Sequence, residues 1–512
     1  MRVVSVEEMR AIEARAGTEY GLDSPALMER AGRSVAEAVR DLLGGNVAGR
    51  NVVTLVGPGN NGGDGLVMGR YLAEWGARVT NYRWREARLE RVDGTLPVSD
   101  DLDELREALA GADVIVDALL GTGHARPLHP VMRAALALAA RARMERPETR
   151  VVALDLPSGL NADTGAIDEG TVAADLTVTL AFPKTGLFIF PGAETVGELV
   201  VGTIGLPDTM AIEPGLEMID RDLARRTLPP RPLNSNKGTF GKAMILAGSP
   251  SFIGAAALAG RGALRAGAGL VTLATTSERA AIYAATLPEV TYHLLPAEDA
   301  DPSARARDLL AGLRGYRSLV VGPGLSQAQE VNPFLLALFA GLRVMEEAER
   351  PRLVVDADGL NILAKEREWP ALLPAESILT PHPGEISRLL GGEEVSGGGA
   401  DRLAVAPRAA SAWGHVVALK GGCTVIAAPD GRTWINWPPN PALATAGTGD
   451  VLAGVIGSLL AQGLAPFEAA SLGVYLHGRA GLRVAARLGI AGAVAGDLPA
   501  ELPLAIHETR GH

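Results

Sequence analysis

Apolar strands that alternate with helices predict an α/β fold with two doubly wound domains. The chain has 512 residues, more than a single hydrophobic core usually accommodates. The alternation breaks once, near residues 212–231, where Glu213-Pro-Gly and Pro229-Pro-Arg-Pro interrupt it. We therefore predict one domain at residues 1–219 and a second at residues 220–512.

In the first half, Ser24 is expected to cap a helix over residues 24–43, and Pro25 suits its first turn. Apolar residues at helical spacing give that segment one buried face. Short β-branched runs predict strands at residues 51–56, 78–82, 114–118, 151–155 and 176–180. Further helices are predicted at residues 65–75, 103–109 and 130–141, with a turn at residues 60–65.

The second half repeats this pattern, which again favours a parallel sheet covered on both faces. Apolar runs predict strands at residues 243–247, 271–274, 319–321, 353–356, 378–380 and 416–419. Pro429-Asp-Gly431 separates two more runs, 425–428 and 433–436, and indicates a hairpin. Helices are predicted at residues 254–266, 383–390, 451–461 and 466–488.

Composition excludes several classes of protein. The net charge of −11 gives no basic surface for nucleic acid or for an anionic membrane. The single cysteine, Cys423, excludes an intramolecular disulfide and a cysteine-based zinc cluster. The sequence contains neither an apolar run long enough to span a membrane nor the apolar core of a signal peptide. We expect a cytoplasmic protein that binds neither nucleic acid nor membranes.

Gly447-Thr-Gly-Asp450 is the most informative motif, because it leads directly into an apolar helix. The unpaired amides of a helix start suit an anion such as phosphate. Asp450 could accept a proton from a hydroxyl beside that phosphate, an arrangement suited to phosphoryl transfer. The alternative is an ordinary helix start capped by an aspartate.

Three polar turns follow predicted strands of the first half: Gly57–Gly65, Asp117–Pro127 and Asp155–Gly165. Ligands bind outside the carboxyl ends of parallel strands, so these turns could converge on one pocket. The alternative for the glycines of the first turn is a need for positive φ. Asn61, Asp117 and Ser158 provide hard oxygen ligands for an alkali or alkaline-earth cation.

Asp155 is the leading candidate for an acid or base in this pocket, and Asp117 competes with it. His124 could contact a ligand or belong only to the loop. Lys184, like Lys237 and Lys420, lies in or beside a glycine-rich turn, where an ammonium suits phosphate.

In the second half, Leu419-Lys-Gly-Gly-Cys-Thr424 ends a strand with a lysine and several backbone amides, a combination suited to nucleotide phosphates. Cys423 is interpreted there as an inert filler. Thr380-Pro-His-Pro-Gly-Glu385 holds His382 between two prolines, where a structural and a functional role are both open.

The three polar turns of the first half match motifs of the YjeF N-terminal domain family, which residues 1–215 resemble. The resemblance implies a Rossmann-like αβα sandwich and an epimerase for R and S forms of hydrated NADH and NADPH, NADHX and NADPHX. It implies potassium bound by Asn61, Asp117 and Ser158. The implied substrate-binding residues are Asn60, Asn61, Gly62, Gly63, Asp64, Gly121, Thr122, Gly123, His124, Ala125, Arg126, Pro127 and Asp155.

Residues 230–505 resemble the ribokinase-like, ADP-dependent NAD(P)HX dehydratase family. The matching motifs include Thr380–Glu385 and Gly447–Asp450. The resemblance implies an αβα domain in which Asp450 is the catalytic base. The implied contacts to the hydrated nucleotide are Ala255 or Ala256, Gly324, His382 and Asp450, and those to ADP are Lys420, Gly421, Gly422, Cys423, Thr424 and Gly449. Asn236 and Ala446 depart from the family, which usually has histidine and glycine there.

Together the two resemblances imply a repair enzyme with ADP as co-substrate, Mg²⁺ at the phosphates and a homo-oligomeric assembly. Dehydration would convert the S epimer to NAD(P)H with release of AMP and phosphate, and the epimerase would supply that epimer. Two alternatives stay open. The second half could be a plain kinase that makes a stable phosphoester of a vitamin precursor, and the first half could be a nucleotide-binding module without activity.

Overall fold

The computed structural model describes residues 1–22, 24–84, 98–99, 101–123, 127–206, 210, 215–395, 399 and 401–511. The chain divides into two compact units, Met1–Gly215 and Leu216–His512. The division precedes Leu216–Met218 because this segment is a strand of the second sheet. The boundary expected at 219/220 falls just after that strand.

The first unit consists of a parallel sheet and its connecting helices. Its helices are α1 (Val6–Tyr20), α2 (Ser24–Leu42), α3 (Asn60–Glu74), α4 (Leu102–Ala110) and α5 (Pro130–Glu145), with 3₁₀ turns at Thr185–Phe188 and Gly192–Thr195. Its strands are β1 (Asn51–Val56), β2 (Arg78–Arg83), β3 (Val98–Ser99), β4 (Val114–Ala118), β5 (Arg150–Leu154), β6 (Leu176–Leu180) and β7 (Glu198–Gly202).

All strand pairs of this sheet are parallel, in the order β3-β2-β1-β4-β5-β6-β7. Successive residues of a strand face opposite sides of the sheet, so each side has its own core. Val52 and Val116 face α2 and α3, whereas Leu55 and Ile115 face α4 and α5. The strand order reverses between β1 and β4, which defines the switch point of a doubly wound, Rossmann-like sheet.

The second unit contains more elements. Its helices are α6 (Arg221–Thr227), α7 (Ile253–Arg265), α8 (Ser277–Thr286), α9 (Pro302–Gly312), α10 (Val331–Val344), α11 (Asp358–Leu363), α12 (Pro383–Leu389), α13 (Asp401–Trp413), α14 (Thr448–Ala461), α15 (Pro466–Leu488) and α16 (Leu498–Arg510). Its strands are β8 (Leu216–Met218), β9 (Lys242–Leu246), β10 (Leu270–Thr275), β11 (Thr291–Leu294), β12 (Ser318–Val321), β13 (Arg352–Val355), β14 (Ile378–Leu379), β15 (Val416–Leu419), β16 (Val425–Ala427) and β17 (Thr433–Ile435).

These strands form one sheet in the order β11-β10-β9-β12-β13-β14-β15-β16-β17-β8. The pairs from β11 to β15 are parallel, and β15, β16 and β17 are antiparallel neighbours. Helices α7, α14, α15 and α16 cover one face, and α9 and α10 cover the other. The order reverses between β9 and β12, so this sheet also has a switch point.

The predicted α/β class with two doubly wound sheets is confirmed, as is the hairpin around Pro429-Asp-Gly431. The turn predicted at residues 60–65 is wrong, because α3 already begins at Asn60. The charged stretch near residue 220 is a helix rather than an interruption, since the Asp220 carboxylate accepts a hydrogen bond from the Leu223 amide and caps α6. Among the described residues, no helix is both long and apolar enough to cross a membrane.

Two candidate active sites

A cavity of about 720 Å³ opens at the switch point of the first sheet, outside the carboxyl ends of β1 and β4. The structure brings residues of all three polar turns together here. The predicted site residues that line the cavity are Asn60, Asn61, Asp64, Gly121, Thr122, Gly123 and Asp155. Pro127 lines a smaller neighbouring cavity, and His124, Ala125 and Arg126 lie outside the described residues.

The glycines of the first turn are needed for close packing. A Cβ atom on Gly57 would lie 1.7 Å from the carbonyl oxygen of Leu119, and one on Gly62 would lie 2.2 Å from that of Gly57. None of the glycines from Gly57 to Gly65 has a positive φ, so the conformational alternative is wrong. Gly62 and Gly63 are buried in α3 and do not line the cavity. The small residues let the start of α3 approach the end of β4.

Asp155 is held by a buried ion pair. The Lys184 ammonium lies 2.5 Å from Asp155 Oδ1 and also donates to the Thr179 hydroxyl and to the Leu180 carbonyl. The Leu180 amide donates to the same carboxylate oxygen at 3.2 Å. Asp155 has a φ of +67°, a conformation that non-glycine residues adopt rarely and often at functional sites. The expectation that Lys184 suits phosphate does not fit this ion pair.

Two further carboxyl groups line the cavity. Burial raises the pKa of Asp64 well above its ordinary value, and the charges of Asp155 and Glu13 add to this effect while Lys184 opposes it. Burial also raises the pKa of Glu13, with Lys184 opposing and Asp155 adding. Glu13 belongs to α1, which sequence reasoning missed. The cavity therefore combines an ion pair with two carboxyl groups whose pKa values are raised by burial.

Asp117 and Ser158 form a buried hydrogen-bonded pair. Asp117 Oδ1 accepts from the Ser158 hydroxyl at 2.6 Å, and Oδ2 accepts from the Ser158 amide at 2.8 Å. Burial raises the pKa of Asp117, and the hydrogen bonds from Ser158 oppose that rise. The Asn61 side chain is also buried, and its Nδ2 has no hydrogen-bond partner among the described residues. Asp117 thus stabilises the turn after β5, whereas Asp155 faces the cavity.

The second site collects charged groups from the ends of β13 and β15 and from the starts of α12 and α14. Asp356 follows β13, and its Oδ1 accepts from the Thr380 hydroxyl at 2.8 Å and from the Lys420 ammonium at 2.7 Å. Glu385 Oε2 lies 3.9 Å from the same ammonium. Burial alone would lower the pKa of Lys420, but Asp356, Glu385 and Asp450 together raise it. Lys420 is therefore a firmly charged centre between carboxylates.

Asp450 is the third residue of α14, where backbone amides point out of the helix. Burial raises its pKa to about 7, with a further rise from Asp356 and an opposing effect from Lys420. Gly447 begins the turn with a φ of +91°, which favours glycine. A Cβ atom on Gly449 would lie 3.3 Å from Lys420 Nζ, so the start of α14 lies directly against the lysine.

One side of the His382 ring forms hydrogen bonds with the backbone, and the other is exposed to solvent. Its Nδ1 accepts hydrogen bonds from the amides of Gly384 and Glu385, which caps α12. Burial lowers the pKa of His382, and the charges of Lys420 and Arg388 lower it further. The ring is therefore neutral near pH 7, and its side chain is 50% exposed.

Gly324 and Ala255 are neighbours, as the implied nucleotide site requires. A Cβ atom on Gly324, which has a φ of +59°, would lie 2.7 Å from the Cβ of Ala255. Asn236, one of the two departures from the family pattern, accepts a hydrogen bond from the Gly238 amide and organises its own exposed turn. The other departure, Ala446, is exposed just before Gly447.

The Lys420–Thr424 turn combines exposed backbone with a buried thiol. Gly421 and Gly422 are exposed, and Thr424 is half-buried. Cys423 is 2% exposed, and burial raises the pKa of its thiol to about 12. The thiol is therefore unreactive at neutral pH, in line with its interpretation as a filler.

Sequence reasoning gave no role to Glu13, Asp356 or Glu385 and expected Lys184 to suit phosphate. Glu13 and Lys184 join the first, while Asp356 and Glu385 surround Lys420 in the second. Asp356 and Glu385 stand in turns that the sequence already marked as strand ends, so their position at the carboxyl edge was the available signal.

Comparison with known proteins gives a related family for each unit. A family model described as NAD(P)H-hydrate dehydratase matches residues 243–504, and one described as YjeF-related protein N-terminus matches residues 24–186. The bifunctional NAD(P)H-hydrate repair enzyme Nnr of Moorella thermoacetica is 38% identical, over 98% of this chain and 96% of that relative. The Nnr of Escherichia coli is 34% identical, over 96% and 91%.

One solved structure with partial coverage is the ADP/ATP-dependent NAD(P)H-hydrate dehydratase from Bacillus subtilis, co-crystallised with ATP and Mg²⁺. It is 32% identical, covers 57% of this chain and 98% of its own, and has a TM-score of 0.48. The Moorella thermoacetica and Escherichia coli relatives, which are matched over nearly their whole length, are both bifunctional NAD(P)H-hydrate repair enzymes. The chain therefore belongs to the family of bifunctional NAD(P)H-hydrate repair enzymes.

Proposed function

We propose that this protein repairs hydrated NADH and NADPH. The first unit interconverts the R and S epimers of NAD(P)HX, and the second dehydrates the S epimer with ADP to give NAD(P)H, AMP and phosphate. The observation that carries the proposal is Asp450, whose pKa of about 7 suits a general base and which stands at a helix start beside Lys420.

In the dehydration, Asp450 accepts the proton of the C6 hydroxyl as the hydroxyl oxygen attacks the β-phosphorus of ADP. The bond from that phosphorus to the bridging oxygen breaks, and AMP leaves. The C6–O bond then breaks with loss of a C5 proton, which restores the C5–C6 double bond and releases phosphate. Phosphorylation thus turns a poor leaving group into a good one.

The nucleotide is assigned to the Lys420–Thr424 turn and to Gly449. Lys420 and the outward amides of α14 stabilise the negative charge on the transferring phosphoryl group. Asp356 and Asp450 are the type of carboxylate that, with phosphates, completes a Mg²⁺ site. Bound Mg²⁺ would supply further charge neutralisation at the phosphates. Ala255, Gly324 and His382 are assigned to the hydrated nicotinamide nucleotide.

In the epimerisation, Asp155 is the acid or base at C6, and Lys184 orients its carboxylate. Burial raises the pKa of Asp64 and of Glu13, and a protonated carboxyl group at either position could donate a hydrogen bond to an oxygen of the substrate. The substrate would contact Asn60–Asp64 and the turn that begins at Gly121. An ion pair beside two carboxyl groups of raised pKa suits proton transfer.

Potassium is assigned to Asn61, Asp117 and Ser158. Their oxygen atoms suit a hard cation, and Asp117 is a buried carboxylate that forms no ion pair among the described residues. Bound K⁺ would neutralise this carboxylate and tie α3 to the turns after β4 and β5. A cytoplasmic location and a homo-oligomeric assembly stay predictions from the sequence and the family resemblance.

A paired substitution tests the division of labour. The protein is incubated with a mixture of both epimers of NADPHX and with ADP or ATP, while absorbance of reduced nicotinamide and free phosphate are followed. Asp450→Asn should abolish the recovery of NADPH, yet epimerisation should continue. Asp155→Asn should slow epimerisation, yet the S epimer should still be dehydrated.

Equal loss of both activities in a folded variant would contradict the proposal. A stable phosphoester without free phosphate would instead identify the second unit as a plain kinase. Failure of the wild-type protein to interconvert the epimers would leave the first unit as a binding module.

A further inference from the structure

A second polar cavity lies at the switch point of the second sheet, between the ends of β9 and β12. Its volume is about 230 Å³. Arg279 and Arg305 line it and are only 8% and 5% exposed. Neither arginine belongs to the site around Asp450. We call it the arginine cavity, and its polar and charged lining side chains are Ser249, Ser251, Arg279, Glu298, Arg305, Ser326 and Glu330.

The two arginines differ in how their charge is balanced. Arg279 Nη1 lies 2.5 Å from Glu298 Oε1, so this guanidinium has a carboxylate partner. Arg305 forms no ion pair among the described residues; it donates at 3.5 Å to the Glu298 carbonyl and lies over the Phe334 ring at 4.7 Å. Glu330, at the cavity wall, offsets its charge only through space.

Two side-chain atoms of the residues that line the cavity have no hydrogen-bond partner among the described residues: Arg305 Nε and Ser249 Oγ. Both are donors or can act as donors, and both residues line the cavity. Buried donors without partners are costly, and natural proteins keep them chiefly where a ligand or water completes them. A buried cation with a donor hydroxyl favours an anionic ligand.

The position of the cavity connects it to the proposed substrate. Leu325 and Ser326 in its wall follow Gly324 directly, and Gly248 in the opposite wall lies close to Ala256. Gly324 and Ala255 are the residues assigned above to the hydrated nicotinamide nucleotide. The volume fits a fragment rather than a whole dinucleotide. The ligand is therefore one anionic group of a larger molecule held beside Gly324.

We propose that the arginine cavity binds a phosphoryl group of the dinucleotide substrate, with Arg305 and Ser249 as its principal donors. This inference rests on the proposed dehydratase function of the second unit. Two phosphoryl sources exist in the substrate: the pyrophosphate bridge, present in both forms, and the 2′-phosphate, present only in NADPHX. Inorganic phosphate released by the reaction has the same chemistry.

The test compares four variants of the full-length protein: Arg305→Gln, Arg305→Lys, Ser249→Ala and, as a control, the exposed Arg314→Gln. The KM and kcat for S-NADHX and S-NADPHX, inhibition by inorganic phosphate, and calorimetric binding of NADP⁺ are measured. Arg305→Gln should raise KM about tenfold or more with little change in kcat, as expected for a lost charge-assisted hydrogen bond. Arg305→Lys should recover part of this, and Arg314→Gln should match wild type.

The substrates distinguish the sources. A KM effect on both substrates identifies the pyrophosphate, and an effect on NADPHX alone identifies the 2′-phosphate. Weaker inhibition by inorganic phosphate with unchanged KM values would contradict the proposal, because it identifies the released product as the ligand. Unchanged KM, phosphate inhibition and NADP⁺ affinity in folded Arg305→Gln and Ser249→Ala would overturn the proposal. If Arg305→Gln does not fold, Ser249→Ala decides, because it removes no hydrogen bond of the described residues.

This outcome is separable from the proposed function. A wild-type protein that never regenerates NADPH would refute the dehydratase proposal. The difference in NADP⁺ binding between wild type and Arg305→Gln would still decide whether the cavity holds a phosphoryl group.

Discussion

The two candidate sites use a carboxylate and a lysine at the carboxyl edge of a parallel sheet, but they pair them differently. In the first unit the lysine contacts the candidate acid or base itself, with 2.5 Å between Lys184 Nζ and Asp155. In the second unit Lys420 contacts Asp356 at 2.7 Å, and the candidate base is the neighbouring Asp450. The candidate acid or base of the first site is thus itself the partner of the lysine, whereas the candidate base of the second site, Asp450, is not in the ion pair.

Burial separates the two lysines further. The Lys184 side chain is 1% exposed, whereas that of Lys420 is 20% exposed. A fully buried charge depends on its partner for stability, so the first ion pair is a structural as well as a chemical element. Lys420 keeps access to a ligand and can serve an incoming phosphate while Asp356 holds it in place.

The carboxyl groups around each pair also differ. In the first cavity, burial raises the pKa of both Asp64 and Glu13, and the nearby Asp155 carboxylate adds to the rise. In the second site, burial raises the pKa of Asp450 to about 7 only, close to the pH at which a base must exchange protons. The first site therefore holds several carboxyl groups of raised pKa around one ion pair, and the second holds one carboxyl group suited to removing a proton from a hydroxyl.

The largest effect is expected on the free energy of unfolding when either lysine is replaced and its ion pair is lost. Lys184→Met should lower the free energy of unfolding by about 3–5 kcal/mol, because it leaves a buried carboxylate without its partner. Lys420→Met should cost less, because the Lys420 side chain is 20% exposed and water can partly replace its ammonium beside the buried Asp356 carboxylate. Calorimetry of the full chain measures both. The control is Lys184→Met with Asp155→Asn, which removes both charges and should recover most of the stability.

If Lys184→Met unfolds at the same temperature as Lys420→Met, the buried pair has no special structural role. If the double variant is as unstable as the single one, the loss comes from packing rather than from an unpaired charge.

The next prediction tests Asp450 as the general base through the pH dependence of dehydration. A general base must be deprotonated, so kcat/KM for dehydration should fall about tenfold per pH unit below pH 7 and level off above it. Lys420 lowers the pKa of Asp450, so Lys420→Met should move this limb to higher pH. Activity assays with S-NADPHX from pH 5 to about 9 measure it, and a limb that Lys420→Met leaves unmoved would argue against Asp450 as the titrating group.

The same pKa shift sets the sign of a stability effect. The folded-state pKa of about 7 exceeds the ordinary value of 3.8, so folding favours protonated Asp450. This contribution to stability is complete below pH 3.8 and is lost as the pH rises to about 7. Asp450→Asn should remove that part of the pH dependence.

Much of this arrangement could be predicted from the sequence because parallel strands bring their ends to one edge. Asn61, Gly121 and Asp155 belong to three separate segments that the sequence indicated as polar turns, and the structure places all of them on one cavity. The same rule placed Lys420 at the edge of the second sheet. The fold class followed from strand and helix spacing alone.

The rest depended on long-range packing that no local pattern shows. Glu13 lies on α1, whose apolar face is too weak to predict, yet this helix forms one wall of the cavity. Lys184 stands in a turn whose glycines indicated a phosphate site, but its side chain is buried and forms an ion pair with Asp155. The glycines of Gly57–Gly65 indicated a turn, whereas their lack of side chains serves the contact between α3 and β4.

A smaller effect is expected from a substitution that reduces the space at the second site without changing its charge. A Cβ atom at residue 449 would lie 3.3 Å from Lys420 Nζ and 3.8 Å from Asp356 Oδ2, tight against the lysine. Gly449→Ala should therefore raise the KM for ADP about tenfold, a loss of about 1.4 kcal/mol, and leave epimerisation unchanged. Gly111→Ala in the first unit, where a Cβ meets only Asn51 Nδ2 at 4.0 Å, is the control. An unchanged KM for ADP would place the nucleotide elsewhere.

The smallest effect concerns the cation expected in the first site only. Replacing K⁺ by Na⁺ or Li⁺ should slow epimerisation a few-fold, because a smaller ion would fit the oxygens of Asn61, Asp117 and Ser158 less well. Asp117→Asn keeps the shape of the side chain but removes its charge, so the rate should then be low and independent of the cation. Dehydration of the S epimer, assayed in the same salts, is the internal control. A cation effect that survives Asp117→Asn would mean that K⁺ acts at another place, and that Asp117 serves only to hold Ser158.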